Sequence, residues 1–83
     1  MKYVISLGGS IINPGEINTE LLKELKRIII RAKHELVIVC GGGAIARDYI
    51  KAGFELNALS VRLDEVGIKA TELNAELVAA VLG

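Results

Sequence analysis

The apolar positions of this chain change their period from one stretch to the next. Tyr3, Val4, Ile5 and Leu7 form a dense, β-branched run that predicts a strand from Lys2 to Leu7. Gly8-Gly9-Ser10 predicts a turn, Ile11 and Ile12 stay apolar, and Asn13-Pro14-Gly15 punctuates a loop. Leu21, Leu22, Leu25, Ile28, Ile29 and Ala32 are spaced three and four apart. They predict a helix capped by Asn18 or Thr19 and running to about Lys33, with His34 and Glu35 ending it. The opposite face of that helix carries Lys23, Glu24, Lys26, Arg27 and Arg31, and Glu24 is placed to pair with Arg27. Leu36 to Cys40 follows at once as a second strand. It has no polar alternation and is expected to be buried on both faces. Beyond Gly41-Gly42-Gly43 a short helix is expected to about Ala52, stopped by Gly53, with residues 54–60 as a connection. Leu63, Val66, Ala70, Leu73, Leu77 and Val81 restore helical spacing from about Val61 to Val81. Glu65 and Lys69 stand four apart there as an expected ion pair, and Gly67 interrupts the helix at a cost of about 1 kcal/mol relative to alanine.

This order, β-α-β-α, is an α/β pattern with parallel strands and a right-handed crossover. Both strands run into glycines, so both turns should open on the same edge of one sheet. Taken alone, Gly8-Gly9-Ser10 is an ordinary turn with Ser10 as its cap. Three consecutive glycines are harder to explain by packing, because each carries a large entropy cost. Without Cβ atoms, the backbone N–H groups of residues 41–43 can close around an anion, and the following helix turns its positive end to the same place. Arg47 lies four residues past Gly43. That puts it about one helical turn in, where its guanidinium can reach back and add charge-assisted donors. Two such turns suit two phosphates, or one phosphoryl group passed between them.

Composition narrows the class. The chain has 83 residues, 52% of them hydrophobic, with ten basic and ten acidic side chains. The mean hydropathy of +0.47 argues against disorder. A net charge of zero offers no polyanion-binding surface, and apolar runs of this length are too short for a membrane span, so neither nucleic acid nor membrane is expected as a partner. No secretory pattern opens the chain, and the single Cys40 makes no internal disulfide; a reducing cytoplasm is the expected compartment. Two parallel strands do not make a stable sheet by themselves, so residues 1–83 are expected to be a single incomplete domain. Asp64 reads as a helix-start residue, His34 as a dipole-facing or solvated residue, and Cys40 as a packing residue. No His, Cys, Asp or Glu set has metal-ligand spacing, and both the ordinary P-loop and the Gly-x-Gly-x-x-Gly fingerprint are missing from the sequence.

Three segments carry a resemblance. Val4-Ile5-Ser6-Leu7-Gly8-Gly9-Ser10, Gly41-Gly42-Gly43-Ala44-Ile45-Ala46-Arg47 and the Asp-x-x-Gly-x-x-Ala-Thr-x-x-Asn pattern from Asp64 to Asn74 together resemble the N-terminal third of the amino acid kinase family. Within that family they look most like the uridylate (UMP) kinases of archaeal type. The resemblance implies a three-layer α/β/α sandwich with a mainly parallel sheet, and the reaction of ATP with UMP to give ADP and UDP, with Mg²⁺ carried on the ATP. It implies that Gly9 and Ser10 contact the ATP phosphates, that Gly42 contacts the UMP phosphate, and that Gly43 and Arg47 approach the transferred phosphoryl group on the ATP side. Asp64 would accept hydrogen bonds from the ribose hydroxyls of UMP, and Gly67 would let the helix pass under the nucleotide. It also implies a homo-oligomer, a hexamer for full-length members. The 83-residue chain alone is expected to be inactive. Many family members place a lysine two residues before the first Gly-Gly; here Ser6 stands there, which removes one cation from the ATP side. A non-catalytic nucleotide- or phosphate-binding module from the same family is therefore the alternative.

Overall fold

The computed structural model describes residues 2–32 and 35–83. Strand β1 (Lys2–Leu7) is followed by a single helical turn, α1 (Gly9–Ile12), and by helix α2 (Thr19–Arg31). Strand β2 (Glu35–Cys40) then leads into helices α3 (Gly43–Glu55) and α4 (Ser60–Leu82). The expected end of α2 at Lys33 and His34 lies outside the described residues. Glu35 does not close a helix, as expected from the sequence, but opens β2. The class is α/β, as read from the sequence, and the layers present form part of a sandwich.

β1 and β2 pair in parallel, from Lys2 against Glu35 to Leu7 against Cys40. This register puts Tyr3, Ile5 and Leu7 on one face with Leu36, Ile38 and Cys40, since side chains alternate along a strand. Leu7 and Cys40 join Ile12, Leu22 and Val78 in the core, with Ile38 and Leu25 packed against them. The other face is open: Val4 is 70% exposed and Val39 53%. Burial of β2 on both faces, expected from its unbroken apolar run, is thus found on one face only. Elements that belong to this chain cover the Leu7 end of the odd-numbered side of β1 and leave the even-numbered side bare.

Local chemistry explains most of the element ends. Asn18 caps α2, its Oδ1 accepting from Leu21 N–H at 3.1 Å. Glu24 and Arg27 pair on its outer face at 3.2 Å. In α3 the expected stop at Gly53 does not occur, and the helix runs on to Glu55. Gly53 instead lets α4 come close, because a Cβ there would collide with Leu63 Cδ2. The stop comes at Asn57, in the left-handed region at φ 61°. Asn57 N–H donates to Phe54 O at 3.1 Å and Ala58 N–H to Gly53 O at 2.9 Å, the bond pattern that satisfies the last carbonyls of a helix. On α4 the expected Glu65–Lys69 pair gives way to two others, Arg62–Glu65 at 4.0 Å and Lys69–Glu72 at 3.3 Å. Among the described residues, no helix is long and apolar enough to cross a membrane.

Candidate functional site

Because Leu7 and Cys40 are the last paired residues, both glycine turns leave the sheet at the same end. Gly41 N–H donates to Leu7 O at 3.2 Å and ties the start of the second turn to the end of β1. From there the two turns lie backbone against backbone. A Cβ on Gly9 would collide with Gly43 N and lie 2.6 Å from both Gly41 C and Gly42 N. A Cβ on Gly41 would lie 2.8 Å from Gly9 N. Gly43 has φ 64°, and a Cβ on it would also collide with Gly9 O. Only glycine fits at Gly9 and Gly43 without moving a main chain.

The first turn is more than a turn. Gly9 begins α1, which buries Ile12 completely and returns a carbonyl to the second turn: Ala44 N–H, at the start of α3, donates to Asn13 O at 3.0 Å. One orphan donor of the α3 N-terminus is thereby satisfied within the protein. Among the described residues, the N–H groups of Gly42 and Gly43 donate to no loop, turn or cap carbonyl. These two amides stand at the N-terminus of α3, against the backbone of Gly9.

Arg47 links the two turns from above. Its Nη1 donates to Ser10 Oγ at 2.7 Å, in an exposed position. The sequence placed Arg47 within reach of its own loop; in the fold it reaches across to the other one. Beside it, α3 and α4 enclose a cleft of about 640 Å³. Gly42, Gly43, Arg47, Asp64, Gly67 and Thr71 are among its lining residues. Gly42, Gly43, Arg47 and Asp64, singled out in the sequence, thus share one cleft, whereas Gly9 and Ser10 stand at its edge, joined to it through Gly43 and Arg47. Asp64 is not at the start of a helix, as its plain reading had it. It lies on the fifth residue of α4, whose first turn holds no acidic side chain, and it faces solvent. Gly67 keeps the cleft floor flat, and a Cβ there would meet only Ile50 Cδ1 at 3.4 Å.

Asn74 is the residue whose part the sequence did not disclose. It is 1% exposed, and its Nδ2 donates to Gly41 O at 2.8 Å and to Gly42 O at 3.1 Å. Its place in the Asp64-to-Asn74 pattern was visible; its contact with residues more than thirty positions away was not. Cys40 is buried, and that burial pushes its thiol above the ordinary range, which suits packing rather than nucleophilic attack. A larger groove of about 900 Å³ lies on the other flank of the same helix pair, between Tyr49, Gly53, Leu63 and Leu73. It lacks the glycine turns, so the smaller cleft is the better candidate for phosphate chemistry.

Comparisons with known proteins place the chain in a family. The chain is 44% identical over 85 residues to a uridylate kinase of Methanothermobacter thermautotrophicus and 42% identical over 87 residues to one of Methanocaldococcus jannaschii. Each match takes in 100% of this chain and 38% of the relative. A crystal structure of uridylate kinase from Archaeoglobus fulgidus superposes with a TM-score of 0.86 at 38% identity, over 99% of this chain and 38% of that one. The chain therefore spans about 38% of the length of these relatives. Residues 1–83 match the amino acid kinase family from end to end, and the chain belongs to that family.

Proposed function

We propose that this chain provides the phosphate-binding turns of a uridylate kinase, which transfers the γ-phosphoryl group of ATP to UMP and yields ADP and UDP. The observation that carries the reading is the direct backbone contact of the two glycine turns beside a cleft that holds both Arg47 and Asp64. A terminal phosphate oxygen of UMP attacks the γ-phosphorus, the bond from that phosphorus to the β–γ bridging oxygen breaks, and ADP leaves. The attacking oxygen is already anionic, so no general base is required. The task left to the protein is alignment and neutralisation of charge in a loose transition state. Gly42 N–H would hold the UMP phosphate, while Gly43 N–H and Arg47 would hold the transferred group. Gly9 and Ser10 would border the ATP phosphates, and Asp64 would accept from the ribose hydroxyls of UMP. Mg²⁺ would be carried on the triphosphate, where it would neutralise charge on the transferred group. Assembly as a homo-oligomer, a hexamer in the full-length protein, is part of the same reading.

The test is a substrate panel on the full-length protein, with ADP release followed for UMP, CMP and AMP. Turnover with UMP at least tenfold above AMP is expected. Turnover that favours AMP or a carboxylate substrate would overturn the reading. Ser6 supports a second reading, a binding module without phosphoryl transfer; UMP binding with no ADP release in the same experiment would favour it.

A further inference from the structure

The second glycine turn is held by a side chain that the chemistry above does not use. Asn74 projects from α4 and donates both hydrogens of one amide nitrogen, to Gly41 O and to Gly42 O. Gly41 C=O shares a peptide plane with Gly42 N–H, and Gly42 C=O shares one with Gly43 N–H. The described peptide bonds include no cis form, and in a trans peptide C=O and N–H point in opposite directions. Fixing these two carbonyls on Asn74 therefore fixes the two N–H groups on the far side of the same planes. The glycine contacts agree: Gly42 N and Gly43 N are the atoms that crowd the place where a Gly9 side chain would be, on the side of the first turn.

We propose that Asn74 is a positioning residue for anion binding: it orients the peptide planes of Gly41-Gly42 and Gly42-Gly43 so that two adjacent amides are preset to receive a phosphate. Three glycines in sequence are the most freely rotating backbone available. Without an outside restraint, turning both planes toward an anion would cost conformational entropy on every binding event. Asn74 settles that orientation during folding. An apolar side chain of the same size would fill the same volume but leave both carbonyls without their donors. The distinction lies in polarity rather than packing. The inference rests on the proposed phosphate-binding role of the second turn and assigns the device that organises it.

The test uses the full-length protein, unsubstituted and as Asn74→Ala and Asn74→Leu. The dissociation constants of UMP and of uridine are compared, and the backbone amide resonances of Gly42 and Gly43 are followed on adding inorganic phosphate. Expected are amide shifts of both glycines in the unsubstituted protein. In both variants UMP should weaken by about tenfold to a hundredfold, with uridine within about twofold, as loss of charge-assisted donors predicts. Equal weakening of UMP and uridine would reduce Asn74 to a structural role and overturn the proposal. So would unmoved Gly42 and Gly43 resonances in the unsubstituted protein, a result that does not depend on the variants folding. If phosphate shifts both amides but UMP binds no better than AMP, the uridylate reading falls while the role of Asn74 stands.

Discussion

Gly8-Gly9-Ser10 and Gly41-Gly42-Gly43 leave the same end of two paired strands, and they depend on glycine to different extents. In the first turn the need falls on Gly9 alone, which is buried under the main chain of the second turn. Gly8 beside it is exposed, and a Cβ there would meet only the Ile11 side chain at 3.7 Å. The first turn is a packing surface that closes into α1. The second turn is held from below by Asn74 and opens through α3 into the cleft. Both turns thus make room for each other, at Gly9 in the first and at Gly41 and Gly43 in the second, but only the second lines the cleft. Two glycine-rich turns in a sequence need not be two copies of one function.

The comparison can be broken most forcefully at Gly9. Gly9→Ala sets a Cβ against the backbone of Gly41, Gly42 and Gly43, which cannot move aside as a side chain would. A loss of about 3 kcal/mol or more in unfolding free energy is expected from such overpacking, read by denaturant midpoint. Gly8→Ala should change stability by less than about 0.5 kcal/mol. Equal effects at the two positions would remove the distinction drawn within the first turn. Arg47→Ala probes the link between the turns. Its guanidinium is exposed, so stability should hardly change, while the rate of phosphoryl transfer in the full-length protein should fall by about two orders of magnitude. A smaller effect follows from Asp64→Ala: UMP affinity should drop about tenfold with phosphate affinity unchanged. A parallel loss of both ligands would mean that Asp64 serves the anion rather than the ribose. At the far end of the scale, Lys69→Ala removes an exposed pair with Glu72 and should cost no more than about 0.5 kcal/mol by thermal unfolding.

Much of the fold was legible because it is decided locally. The stripe from Leu21 to Ala32 and the Asn18 cap define α2 through contacts three and four residues apart, and the Glu24–Arg27 pair forms as its spacing suggests. The bounds of β1 agree with its apolar run. Local pattern misleads where a partner distant in sequence decides. Gly53 resembles a helix stop until Leu63 is seen against it, and the true stop, Asn57, is a residue type that tolerates positive φ without demanding it. Val37 and Val39 carry the chemistry of a buried strand, but exposure depends on which elements exist to cover them. On α4, Glu65 had two basic neighbours within helical reach, and it pairs with Arg62 rather than Lys69.

The candidate site divides in the same way. The residue types alone made these turns the candidate site: glycines without Cβ atoms, a helix start after them and an arginine one turn on are properties of consecutive residues. What tertiary structure decided is the direction in which those groups face. Arg47 turns to Ser10, Asp64 joins the cleft from another helix, and Asn74 sets the planes of the second turn. The physical reason is that a peptide amide has no preferred direction in a run of glycines. Direction comes only from a hydrogen bond made across the fold, and no local pattern encodes which distant side chain will make it.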